Sequence, residues 1–120
     1  MSAHPIAPIL AGTPHRHPML LLDRLRDLVP GRSGRAVKAV TSNEPHQGGA
    51  GGVGTFPPSL LVDALGQLAI AVLSSRSWPK PRLWYLSALE DMSWDSLPRA
   101  GDFLEMQAEV LRTWRGTSRV

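Results

Sequence analysis

Hydrophobic residues in this chain fall in short runs cut by proline and glycine. Met19 to Val29, MLLLDRLRDLV, is bounded by Pro18 and by Pro30-Gly31. Those breakers favour a strand closed by a turn, although the Leu run and the Asp23/Arg26/Asp27 spacing also fit a helix. Residues 35–41, RAVKAVT, alternate as a second strand, with Val37 and Ala39 on one face and Lys38 on the other. A breaker-rich loop follows over residues 42–58. Ser59 to Arg76 is then apolar on almost every face, which predicts a buried central helix. Proline at its start and Pro79 and Pro81 beyond it set its limits. Residues 82–90 read as a strand, and so do 103–111. In the latter Leu104, Met106, Ala108 and Val110 point one way and Glu105, Gln107 and Glu109 the other. Arg99 to Asp102 is a turn, and RTWRGTSRV begins another extended segment. Residues 1–18, rich in Pro and His, read as an arm or loop. The expected class is α+β: an antiparallel sheet curled round one buried helix.

Composition narrows this picture. The 120 residues fit one domain, and 42% hydrophobic content can build its core. Gly and Pro total 22, too many for an all-helical bundle. The absence of Cys removes disulfides, thiolate zinc sites and thiol nucleophiles. It is compatible with a reducing cytoplasm. A net charge of +3 comes with no Lys/Arg run, so nucleic acid is not an expected partner. No apolar run is long enough to span a membrane, because Leu60 to Leu73 is short and contains Asp63 and Gln67. The N-terminus does not read as a signal peptide.

The chemistry gathers on the predicted helix. Ser59, Asp63 and Gln67 fall at i, i+4 and i+8, one polar stripe on an oily cylinder. A carboxylate there is costly unless paired or used. Asp63 therefore either caps a loop amide or pairs with an Arg, or it faces a cleft as a catalytic or substrate-orienting group. Two other patterns carry less. Gly49 to Gly54 fits G-x-G-x-x-G, but Pro57-Pro58 intervene before the helix and positions 64–89 hold no acid. His15-x-His17 has strand spacing for a metal, yet no third ligand stands nearby. Neither a metal nor a cofactor is expected.

Several segments carry a resemblance. Pro14 to Arg24, PHRHPMLLLDR, resembles the PHR-x-P-x-L-x-x-DR opening of FabZ-type 3-hydroxyacyl-acyl-carrier-protein dehydratases. Thr41 to Pro45, TSNEP, is similar to that family's lead into its active-site loop. Phe56 to Gln67, FPPSLLVDALGQ, is similar to its helix, with Asp63 where FabA types place Asp and FabZ types place Glu. Leu83 to Asp102 resembles the later strands. The resemblance implies a hotdog domain over residues 14–120 behind an arm of residues 1–13. The family runs on past the equivalent of Val120, so the closing strands are expected to be cut short here. It further implies a homodimer with sites at the interface; a heterodimer with another hotdog subunit stands as the alternative. The implied substrate is a 3-hydroxyacyl thioester on acyl carrier protein or coenzyme A, in cytoplasmic acyl synthesis.

In that family a His takes the C2 proton and a carboxylic acid from the partner subunit handles the departing hydroxyl. The match puts Asp63 in the acid role, with Gln67, Ser59 and Phe56 as substrate-binding residues. The family's His stands fourteen residues before the acid, where this chain has Gly49. The nearest His is His46, three residues earlier. Either His46 swings into the base position or the base is missing. Three functions remain open: a dehydratase, a non-catalytic acyl-binding subunit beside an active partner, and a hotdog thioesterase.

Overall fold

The computed structural model describes residues 6–44, 54–79 and 82–120. Its elements are α1 (Ala7–Gly12), β1 (Arg24–Val29), β2 (Ser33–Ala39), α2 (Pro58–Ser74), β3 (Phe103–Glu109), β4 (Arg112–Trp114) and β5 (Thr117–Arg119). Strands β1, β2 and β3 form an antiparallel sheet in that order, and β4 pairs with β5 as a separate hairpin. The sheet lies on one long helix, α2, which gives the α+β arrangement of a hotdog fold.

Register explains which residues reach the helix. Ala36 sits opposite Met106, and Gly34 opposite Ala108, so small and flexible apolar groups share the inner face. Met106 and Ala108 are buried and Glu105, Gln107 and Glu109 exposed, as the alternation predicts. Gly34 marks the closest approach of helix to sheet. A Cβ there would lie 2.9 Å from Val72 Cγ2. The β1–β2 turn docks on the C-terminal end of α2. Gly31, at φ +70°, donates its N–H to the Val72 carbonyl at 3.2 Å and to Ser75 Oγ at 3.1 Å. Trp78 Nε1 donates to the Leu73 carbonyl at 2.9 Å, satisfying another helix-end acceptor.

Four expectations change. The segment 19–29 splits: only its second half is a strand, while Leu21 and Leu22 are buried ahead of it. A bulge between Arg26 and Val29, with Asp27 at φ 51°, ends its regular pairing. Within the supposed arm, α1 forms and packs on α2, with Ile9 fully buried. Proline there lies in the first turn, where no helical N–H is needed. Residues 82–90 form no strand, because no neighbouring strand of the described chain supplies a ladder. The same gap leaves α2 covered on one side only. Ala64, Gln67, Leu68, Ala71, Val72 and Leu73 are buried, but Leu65 is exposed and Val62, Gly66, Ala69 and Ile70 are half-buried. The terminal stretch is a hairpin whose turn residues Arg115 and Gly116 have φ 42° and 82°, as a two-residue β-turn requires. The turn at Arg99 forms as expected, with Asp102 Oδ2 accepting the Arg99 N–H at 2.8 Å. No helix among the described residues is long and apolar enough to cross a membrane.

Candidate active site

The face of α2 turned from the sheet carries Ser59, Val62, Asp63, Gly66, Gln67 and Ile70 at helical spacing. These residues form one wall of a cleft of about 330 Å3. Trp84, Tyr85 and Leu86 form the facing wall, and His15 also lines the space. Gly66 leaves its part open, since a Cβ there would meet nothing within 4 Å.

Asp63 is half-buried and held by its neighbour one turn on. Gln67 Nε2 donates to Asp63 Oδ2 at 3.1 Å and to the Met19 carbonyl at 2.7 Å. Gln67 Oε1 accepts the Leu21 N–H at 2.9 Å. The Gln67 side chain is 1% exposed and uses both amide hydrogens. It ties α2 to the chain entering β1 and fixes where the Asp63 carboxylate points. Ser59 is exposed on the cleft wall. Phe56 is fully buried in the core beneath Lys38, whose Nζ lies 5.8 Å from the ring centroid, and it is not part of the cleft lining. His46 and most of the glycine-rich loop lie outside the described residues.

The structure brings into the cleft of Asp63 a histidine that the sequence offered only as a motif member or a metal ligand. His15 follows α1 in a loop clamped by Arg16. The Arg16 guanidinium donates to the carbonyls of Leu10 (3.2 Å), Thr13 (2.9 Å) and His15 (2.7 Å). Thr13, 4% exposed, hydrogen-bonds His15 Nδ1 through its hydroxyl and accepts the His15 backbone N–H at 3.2 Å. The ring is thus held by its own loop. Among the described residues, no group of three or more His, Asp or Glu is placed to hold a metal ion. On the facing wall, the buried Trp84 indole N–H has no hydrogen-bond partner among the described residues. Tyr85 and Leu86 were legible as part of an alternating segment, but nothing in their spacing tied them to Asp63.

No family model matches the chain. Curated relatives do. It is 39% identical over 111 residues to the 3-hydroxyacyl-acyl-carrier-protein dehydratase FabZ of Caulobacter vibrioides, covering 89% of this chain and 69% of the relative. It is 36% identical over 118 residues to the FabZ of Sodalis glossinidius, covering 95% and 78%. Against the FabZ of Shewanella oneidensis it is 31% identical over 121 residues, covering 97% and 79%.

Proposed function

Because the chain belongs to the FabZ family of 3-hydroxyacyl-acyl-carrier-protein dehydratases, we propose that it removes water from a 3-hydroxyacyl thioester in fatty acid or polyketide-type synthesis. The observation that carries this reading is the half-buried Asp63 carboxylate. It is held by Gln67 on the wall of a cleft otherwise lined largely by apolar side chains. An acyl chain suits those apolar walls, and a carboxyl group at hydrogen-bond reach suits the 3-hydroxyl. Asp63 gives its proton to the departing hydroxyl, which leaves as water. A histidine takes the C2 proton; the family pattern offers His46, and the cleft offers a second imidazole, taken up below. Ser59 lies along the path of the thioester end. Gln67 acts through Asp63, and Phe56 supports the site from the core.

The carrier in this reading is acyl carrier protein or coenzyme A. The assembly is a dimer, through a second copy or another hotdog subunit, covering the exposed apolar segment 82–90. A cytoplasmic setting suits a chain without cysteine. Purified protein given a 3-hydroxyacyl thioester should release an enoyl thioester, and Asp63→Ala should lower kcat by about 100-fold or more. Free acid with no enoyl product would instead make it a thioesterase. Tight acyl binding without turnover would make it a non-catalytic subunit. Unchanged turnover in Asp63→Ala would overturn the role given to this residue.

A further inference from the structure

We propose that His15, not a loop histidine, is the general base of this cleft; the inference rests on the dehydratase reading above. Three observations support it. His15 and Asp63 come from the same chain and line the same cleft. His15 Nδ1 is bonded back to Thr13, which leaves Nε2 as the nitrogen available to a ligand. The loop that presents the ring is fixed by Arg16, which donates to two of its carbonyls and to the Leu10 carbonyl of α1. A base must be positioned before it can be effective, and this ring is.

The hydroxyl of Thr13 can also set the tautomer. Its oxygen has two lone pairs, enough to accept both the His15 backbone N–H and Nδ1–H. That arrangement leaves Nε2 bare, the state a base requires. Among the described residues lining the cleft, the charged or titratable groups beside His15 are Asp63 on α2 and Tyr85 on the facing wall, while the Arg16 guanidinium is engaged with carbonyls. His17, two residues on, is exposed and does not line the cleft.

In the reaction the C2–H bond breaks and its proton moves to His15 Nε2. The electron pair left at C2 becomes the C2=C3 π bond. The C3–O bond breaks, and the hydroxyl takes the Asp63 proton and leaves as water. The imidazolium then returns its proton through solvent to the Asp63 carboxylate, and both groups are reset. Thr13 is a positioning residue in this scheme.

The test is steady-state enoyl formation by the full chain carrying His15→Gln, His46→Gln, Thr13→Val or Thr13→Ser, with His17→Gln as the control. Enoyl product from the unaltered chain establishes the dehydratase reading independently; without it, both that reading and this one fall. Given that product, His15→Gln should lower kcat by about 100-fold or more with KM within about threefold. Thr13→Val should lower kcat by about tenfold, and Thr13→Ser should restore it. A His15→Gln chain with the wild-type melting temperature and kcat within about threefold overturns the proposal. So does a loss confined to His46→Gln. If His15→Gln melts early, the Thr13 pair decides: equal kcat in Thr13→Val and Thr13→Ser also overturns it.

Discussion

Lys38 shows what alternation alone can and cannot tell. The period-2 pattern of β2 is legible, and it separates Lys38 from Val37 and Ala39. It does not say which face is inside, and the face bearing the lysine is the buried one. What admits the cation is Glu44, five residues past the end of the strand. Lys38 Nζ donates to Glu44 Oε1 at 2.8 Å, with the two side chains 7% and 11% exposed. A buried pair of this kind contributes little net stability, but losing one partner strands the other. Glu44→Gln should therefore destabilise the fold by about 3 kcal/mol, whereas the double change Lys38→Met with Glu44→Leu should be nearly neutral. Urea unfolding of both variants checks this, and equal losses would contradict it. Asp63 is the opposite case. Its place in a helical stripe was readable from spacing, because Ser59, Asp63 and Gln67 need only the helix to align. That it shares a cleft with His15 was not, since that depends on how α1 and its loop fold back on α2.

At the scale of elements, α2 and β3 were the most legible, because each carries its periodicity over a long stretch. The segment 82–90 shows the limit. It has strand-like alternation, but a strand exists only when another supplies hydrogen bonds, and no local pattern reports the partner. Likewise α1 was hidden by prolines that read as breakers, although proline fits the first turn of a helix. Glycines in the central elements test the packing directly. Gly34→Ala would push a methyl group to 2.9 Å from Val72 Cγ2, where both backbone elements are fixed. It should cost about 1–3 kcal/mol. Gly66→Ala faces open space and should instead stabilise α2 by up to about 1 kcal/mol. Thermal unfolding should move in opposite directions for the two. A common direction would mean that α2 does not cross the sheet at Gly34.

At the scale of the whole molecule, the half-covered helix and the exposed segment 82–90 belong together. Leu83 (74% exposed), Tyr85 (81%), Leu86 (58%) and Leu89 (55%) present apolar area beside unpaired backbone, a combination that soluble chains seldom leave open. A second chain covering this edge would also bury the free side of α2. The expected particle is twice the 13.0 kDa of one chain. Leu83→Asp with Leu89→Asp should return it to a monomer in light scattering. A wild-type monomer would contradict the pairing. Dimer or not, the account centres on one claim: that the Asp63 cleft makes and breaks the bond between C3 and a hydroxyl. Its most direct test runs the reaction backwards. An enoyl thioester is incubated with the protein in heavy-oxygen water, and the label is located by mass spectrometry. The account predicts heavy oxygen at C3 of an intact 3-hydroxyacyl thioester, lost in Asp63→Ala. Label found only in the carboxyl group of a released acid, or labelling at C3 that persists without Asp63, would contradict it.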